Sequence, residues 1–522
     1  MNRPSTLAAI KVRHVLFLAL ALRLIAVVFS QGYFAHDDHF ETVNIAWSWQ
    51  HDGGFLEDGS LRWEGKPDFG VIRSAVYNFF LLGLMKVTAL VGVTTLDAHM
   101  YFNRLIHALL SLLPVFFGYR YLREETNQRT ATIGGLLLAG HFLMPFLGVR
   151  NLVEMVSADL LMPGLYYAQR ATKATGKHSR FALLGGLFCG GALMIRYQSA
   201  AAIVVVPLAM MIAAHRQREV DSPLAKGVRG LFSPALMFVA TLLVMMLLQA
   251  LLDLWTHGRF WGSFVNLVTH IGEPNVAGPW YRHLLLLLGV MVPPLSIVMV
   301  VGLFHKSVIW RHLVLWSALV CFVVIHSIIT EKQERFMIPM LPLLIVLGMA
   351  VLYQLEQGTN LWSRARWLRR ICWGIFMVVN LAALPVFTIN YGKRGAVSPL
   401  VYLSRQPDAD RVLIDMTERN LYVPYSYWST DRSGAVVLRR DGDLDSLLAA
   451  AALNPGDPPR YAVIYADRDL ERHLAALTER LGQYEVVFHG EPSLLDAIAN
   501  RLNPRYNRRN ESWVVRLAPR LN

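Results

Sequence analysis

The chain is a succession of apolar runs, most of them close to the ~20 residues an α-helix needs to cross a bilayer, separated by short polar segments. Backbone that crosses hydrocarbon must satisfy its own N–H and C=O groups, so a chain built this way folds as a bundle of membrane helices. Basic residues orient the bundle. Residues 1–14 carry Arg3, Lys11 and Arg13 without an acid and precede the run 15–34, which places the N-terminus in the cytoplasm. Residues 34–70 reverse the balance, with Asp37, Asp38, Glu41, Asp52, Glu57, Asp58, Glu64 and Asp68 against Arg62 and Lys66. They therefore read as extracytoplasmic.

The next apolar segment, 71–93, is long enough to cross, but counting it would put Arg120, Arg123 and Arg129 outside. Laid along the membrane surface, with Arg73 and Lys86 at head groups, it leaves 101–122 as the second span. Every later basic cluster, at 170–180, 215–229, 305–312 and 364–370, then falls inside. The remaining spans lie near 131–148, 152–169, 181–197, 199–214, 231–251, 284–303, 312–329, 336–354 and 371–390, about eleven in all. Composition agrees: 54% of the 522 residues are hydrophobic and 17% charged. The net charge of +13 is accounted for by topology-setting Lys and Arg, so nucleic acid is excluded as a partner. All three cysteines lie in apolar segments, where a thiol behaves as a small hydrophobe.

After Tyr391 hydrophobicity drops. Short strands are predicted at 411–416, 461–466, 484–489 and 513–517, with helices at 443–453 and 470–481. The expected division is a membrane domain over 1–391, with a first extracytoplasmic loop over 34–100, and an extracytoplasmic α/β domain over 392–522. The latter shows no glycine-rich phosphate loop, and no cofactor is expected.

Five ionisable side chains crowd the segment His36-Asp37-Asp38-His39-Phe40-Glu41, where the first span meets water. A solvated loop and an active site are both open at this level. The histidines and aspartates lack a recognised metal-ligand spacing, and no metal is expected. Glu154 and Asp159 interrupt an apolar span and should face the bundle interior, while Arg23 either faces that interior or snorkels. Two outer segments are rich in polar and aromatic groups: 253–282, and the turn Glu331-Lys332-Gln333-Glu334-Arg335. Aromatic rings with amides and acids suit sugars, and equally suit an interfacial belt.

Taken in order, these segments resemble the dolichyl-phosphate-mannose-dependent mannosyltransferases of glycosyltransferase family 22, which build GPI anchors and lipid-linked oligosaccharides on a GT-C membrane fold. His36 to Glu41 resembles the family's Pro-Asp-Glu-aromatic-aromatic-Gln, with Asp37 at the catalytic aspartate. Arg62-Trp63-Glu64 resembles Thr-Trp-Glu, and Ile72-Arg73-Ser74 matches Ile-Arg-Ser. Arg196-Tyr197-Gln198-Ser199-Ala200 resembles Arg-Pro-Thr-Ala-Ala. Asp253, Gly258, Asn266 and Gly278-Pro279-Trp280-Tyr281 follow the order of the family's long-loop elements. Glu331 to Phe336 resembles His-Lys-Glu-x-Arg-Phe. Glu41, Glu331 and Gln333 depart from those patterns.

The resemblance implies a GT-C-like fold and an inverting transfer of a hexose, expected to be mannose, from a polyprenyl-phosphate donor to a lipid-linked or glycan acceptor on the non-cytoplasmic face. Asp37 is expected to be the general base, with Asp38 beside it to take over or hold the acceptor. Arg196, Arg335 and Lys332 are candidate phosphate partners. Glu41, Glu64, Arg73, Trp280 and Tyr281 complete the expected substrate-binding set. A flippase or transporter of lipid-linked sugars is the rival; it predicts duplicated halves with broken helices, and no such duplication is visible. A membrane scaffold presenting the C-terminal domain is a third reading. The compact loops favour a bacterial inner membrane over the endoplasmic reticulum.

Overall fold

A computed structural model describes residues 10–51, 73–173, 178–221, 229–269, 276–418, 423–429, 434–438, 459–466, 470–504, 507 and 509–518. Among them, seven helices are long and apolar enough to cross a membrane: Val12–Phe29, Leu96–Glu125, His178–Ile195, Tyr197–Arg216, Pro234–His257, Glu334–Gln357 and Arg366–Thr388. The protein is thus a polytopic helical membrane protein. The other four expected spans are helical, but each is short, interrupted or charged. Leu313–Ile328 has 16 residues. Residues 131–148 divide into Gln128–Gly140, capped by Asn127, and the turn Met144–Leu147. Residues 284–303 divide into Arg282–Val290 and Leu295–Gly302 at a Pro293-Pro294 pair, whose rings cannot donate helix hydrogen bonds. Val153–Lys173 is continuous over 21 residues but carries Glu154, Asp159, Arg170 and Lys173. Val76–Ala89, with 14 residues, extends only ~21 Å at 1.5 Å per residue, short of the ~30 Å hydrocarbon core.

The chain forms two compact units, Met1–Ala26 with Phe55–Phe80 and Arg104–Thr388, and Val27–Gly54 with Leu81–Asn103 and Ile389–Asn522. In the first, Glu334–Gln357 is the central helix, 89% buried along its apolar window, whereas Val12–Phe29 and Pro234–His257 leave most of theirs outward. Arg23 resolves toward the interior. Its guanidinium has no exposed surface; Nε donates to Ser111 Oγ at 2.6 Å, Nη1 to the carbonyls of Ala19 and Ala139 at 3.2 and 3.3 Å, and Nη2 to Ser111 O at 3.4 Å. The buried Asp159 carboxyl interacts with it electrostatically. The charge therefore ties the first helix to two others instead of snorkelling.

In the second unit, β1 (Val412–Asp415), β2 (Ala435–Leu438), β3 (Tyr461–Ile464), β4 (Tyr484–Gly490) and β5 (Ser512–Leu517) form one sheet in the order β2-β1-β3-β5-β4. β1 runs parallel to β2 and β3; β5 is antiparallel to β3 and β4. β1 and β3 are buried at every position, as the apolar sequences Val-Leu-Ile and Tyr-Ala-Val-Ile require. Leu470–Leu481 packs Leu477 against Leu413, Ile464 and Val515. β2 and the helices Arg394–Leu403 and Leu494–Leu502 are additions to the elements expected from sequence, and the expected helix at 443–453 lies outside the described residues.

At the carboxyl end of β1, Asp415 Oδ1 accepts from Thr417 N and Oγ1, while its Oδ2 lies 2.5 Å from His473 Nδ1; His473 Nε2 is 3.4 Å from Glu418. Burial opposes protonation of His473, but the two carboxylates outweigh it and raise its pKa above 6.5. A raised folded-state pKa contributes stability that is full below about 6.5 and is lost as pH rises through the folded value.

Two measurements follow from these contacts. Arg23→Leu strands buried acceptors and Asp159, and should cost about 3 kcal/mol, read as a lowered thermal midpoint in detergent; an unchanged midpoint refutes the staple. Hydrogen exchange of the full chain between about pH 5.5 and 8.5 should show Leu470–Leu481 losing protection at the upper end, beyond the intrinsic chemical dependence, and His473→Gln should abolish that trend. Protection that does not vary with pH goes against the carboxylate pairing.

Candidate active site

In the second unit the acid-rich segment is an interrupted helix. His36–Asp38 forms a first turn, His39–Val43 a π-helical turn, and Asn44–His51 continues as α-helix. Single π turns inside helices are frequent at functional sites because they re-aim side chains out of the regular series. Asp37 lies in the first turn, with its side chain outside the described set. Asp38 is buried and Glu41 half-buried. His39 is buried between two tyrosines, its ring 4.8 Å and 14° from Tyr33 and 5.4 Å and 8° from Tyr427. Burial, helped by the nearby His36, pushes its pKa down to about 3, so the imidazole is neutral at physiological pH. The Thr42 hydroxyl donates to the Asp38 carbonyl, and Ser426 Oγ donates to Asn44 Oδ1 at 2.5 Å.

In the first unit, Val153–Lys173 opens with Glu154, whose side chain has no exposed surface. Arg196 Nη2 lies 2.9 Å from Glu154 Oε1, and Arg335 Nε lies 3.8 Å from the same oxygen. Each arginine is held from its own loop as well: Arg196 Nε donates to Gln198 Oε1 at 3.0 Å, and Arg335 Nε to Gln333 Oε1 at 2.8 Å. Both guanidinium carbons sit near the Phe336 ring, at 5.6 and 5.7 Å from its centroid. Two cations from distant segments thus converge on one carboxylate and one aromatic face, an arrangement suited to gripping an anion.

Lys332 occupies a different role in this geometry. Buried, its Nζ donates to the carbonyls of His326 at 2.8 Å, Ser327 at 3.0 Å and Ile329, closing the C-terminus of Leu313–Ile328, where a cation is favoured. Neither Glu331 nor Glu334 pairs with it: Glu331 Oε1 accepts from Val276 N, and Glu334 pairs with Arg282. Arg73 is buried, and Ser74 Oγ donates to Gln249 Oε1 at 2.8 Å. Gln249 in turn donates to Asp253 Oδ1 at 2.7 Å, and Asp253 Oδ2 accepts from Ser263 N and Oγ. Asp253 belongs to the last turns of Arg229–His257, so the helix continues beyond the span expected at 231–251. Trp280 and Tyr281 are 63% and 46% exposed, open to a ligand rather than packed in a core. Glu64 lies outside the described residues. Among the described residues no group of three or more His, Cys, Asp or Glu side chains is placed to hold a metal ion.

The grouping of Glu154 with Arg196 and Arg335 sharpens the sequence reading, in which the acid faces the bundle interior, lining the same cavity as the arginines expected at a phosphate, but is not paired with them. The Tyr33–His39–Tyr427 stack had no sequence signal at all, because its members lie on segments with no shared periodicity.

Residues 14–417 match the Alg9-like mannosyltransferase family. The chain belongs to that family. Its relatives include GPI mannosyltransferase 3 of Drosophila melanogaster, 24% identical over 68% of this chain and 57% of that protein, and GPI alpha-1,2-mannosyltransferase 3 of Homo sapiens, 22% identical over 64% and 56%. The chain therefore spans a little over half the length of these curated relatives. The fold is shared with ArnT from Cupriavidus metallidurans, solved bound to undecaprenyl phosphate, at 14% identity, with a TM-score of 0.58 and 97% of each chain covered.

For this family member, the arginine pair predicts a coupled energetics. Glu154→Ala leaves two half-buried guanidiniums without their shared carboxylate and should cost about 3 kcal/mol; adding Arg335→Ala should recover part of that loss, giving a coupling of about 1 kcal/mol in a double-mutant cycle of thermal midpoints. Strict additivity shows that Arg335 and Glu154 do not act as a pair.

Proposed function

We propose that this chain is an integral membrane glycosyltransferase that moves a hexose, of mannose type, from a polyprenyl-phosphate donor to a lipid-linked or glycan acceptor on the non-cytoplasmic face. The observation that carries the reading is the convergence of Arg196 and Arg335 on buried Glu154 in a member of a mannosyltransferase family. A phosphate leaving group needs fixed positive charge where its negative charge develops, and preorganised guanidiniums supply that without reorganisation. The relatives' names support mannose as the sugar, and a protein of the same fold carrying undecaprenyl phosphate is compatible with a polyprenyl-phosphate donor.

In the proposed step Asp37 takes the proton of the acceptor hydroxyl as its oxygen attacks the anomeric carbon. The bond from that carbon to the phosphate oxygen breaks, the configuration inverts, and polyprenyl phosphate leaves on Arg196 and Arg335. Asp38 orients the acceptor or substitutes as base. Trp280 and Tyr281 offer exposed rings to sugar faces, and Glu41, Glu64 and Arg73 belong to the same substrate-binding set. Lys332, engaged by three carbonyls, is assigned to holding the loop that carries Arg335. The proposed domains remain a membrane domain over 1–391 and an extracytoplasmic α/β domain over 392–522. Compact loops favour a bacterial inner membrane; the animal relatives lend that preference no support.

Purified protein incubated with a panel of undecaprenyl- and dolichyl-phosphate sugars should give a glycosylated product. Asp37→Asn should lower turnover by about 10²–10⁴-fold. Arg335→Ala should raise the donor KM about tenfold or more, with Arg335→Lys intermediate because a point charge replaces a fork. Turnover indifferent to Asp37→Asn removes the catalytic assignment, and donor translocation without product formation favours the flippase.

A further inference from the structure

Within the second unit, the segment that carries the candidate base is gripped by a short turn of the C-terminal part of the chain. Tyr425–Tyr427 is one 3₁₀ turn whose consecutive residues Ser426 and Tyr427 reach the acid-bearing helix just after its π turn, at Asn44, and at the π turn's first residue, His39. The Tyr427 ring lies nearly parallel to His39 at 5.4 Å, with Tyr33 stacked on His39 as well at 4.8 Å. Ser426 Oγ donates to Asn44 Oδ1. The next residue, Trp428, is buried and donates from Nε1 to Ala409 O at 2.9 Å, just ahead of β1, which fastens the turn to the sheet. A second attachment runs beside it: Gly392 N donates to Gln31 O at 2.9 Å, and Ser30 Oγ to Asn390 O at 3.0 Å.

His39 is the residue on which the grip closes. A protonated imidazole between two rings in a buried site is costly, and its depressed pKa shows that the neutral ring is what packs there. The stack therefore persists through the physiological pH range. Each stacked pair adds a favourable contact beyond its buried area. A turn held at both ends by such contacts has little freedom to swing, and a candidate base displaced by 1 Å can lose ~10²-fold in rate.

We infer that Tyr427, with Ser426, is a positioning element for the transfer reaction: the C-terminal α/β domain holds the Asp37–Asp38 turn in place through the His39 stack. The inference rests on the proposed role of Asp37, and the test separates the two.

Tyr427→Leu, Tyr427→Phe and Asp37→Asn are compared in the full chain in detergent, with a polyprenyl-phosphate sugar that the wild type turns over. Hydrogen exchange over residues 36–44 should accelerate at least tenfold in Tyr427→Leu and stay near wild type in Tyr427→Phe, which keeps the ring. Turnover should follow the same order, with kcat lowered about tenfold or more in Tyr427→Leu, the donor KM within twofold, and recovery in Tyr427→Phe. Unchanged exchange over 36–44 in a folded Tyr427→Leu overturns the clamp. Accelerated exchange with unchanged kcat overturns the positioning role. A loss in Tyr427→Phe equal to that in Tyr427→Leu overturns the stack as its basis. Full activity of Asp37→Asn overturns the proposed function instead, while the exchange data still decide the clamp. Should Tyr427→Leu fail to fold, Ser426→Ala gives the same exchange readout at Asn44, and no acceleration there overturns the grip.

Discussion

A carboxylate with no exposed surface has to be paired where it lies, and Glu154 is paired twice. Taking its charge out of water costs several kcal/mol, which only close and well-held cations offset. Arg196 and Arg335 meet that requirement from opposite sides of the sequence, each tethered by a nearby amide, and Phe336 backs both guanidiniums. The consequence reaches beyond stability. Two like charges drawn to one point repel each other, so the pair exists in this geometry only because the acid is there. Any anion that binds both arginines meets a site whose shape has been set before its arrival, and the entropic cost of gathering two long side chains has already been met during folding.

The same constraint recurs wherever this bundle buries charge. Arg23 spends its donors on Ser111 and on carbonyls of two segments, and Lys332 spends its own on the end of Leu313–Ile328. Arg23 joins helices distant in sequence, whereas Lys332 closes the end of the helix that leads into its own turn. In hydrocarbon, apolar packing is not selective, so hydrogen-bonded charges give such a bundle its register. The role of Lys332 follows from distance: three carbonyls within reach leave its three donors occupied.

Sequence showed most of the bundle because the hydrophobic signal is local: a run of about twenty apolar residues meets the span requirement by itself. It was less decisive where the chain mixes signals. Glu154 and Asp159 lower the apolar character of Val153–Lys173 although the helix is continuous, and the Pro293-Pro294 pair divides a run whose composition is uniformly apolar. In the C-terminal part, β1 and β3 were legible as buried runs, while β2 was not, since three half-buried residues and one buried leucine beside a polar stretch give no alternation to read. For Lys332, expected as a candidate phosphate partner, nothing in the sequence announced the carbonyl cap, which has no residue-level signature. The arginine pair and the tyrosine stack were illegible for a common reason: each is a contact between segments far apart in the chain.

The neutrality of His39 bears on the chemistry that the acid turn can perform. A carboxylate next to an imidazolium binds its proton less tightly and is a weaker base. His39 adjoins Asp38 in sequence, so a charged imidazole there would weaken the acids the turn presents. Enclosed by Tyr33 and Tyr427, the ring keeps its neutral form down to about pH 3 and contributes packing in place of charge. Two arginines, Arg196 and Arg335, are held elsewhere, on Glu154. Burial thus fixes a neutral imidazole within the acid turn of one unit and, in the other, gathers two guanidiniums on one carboxylate.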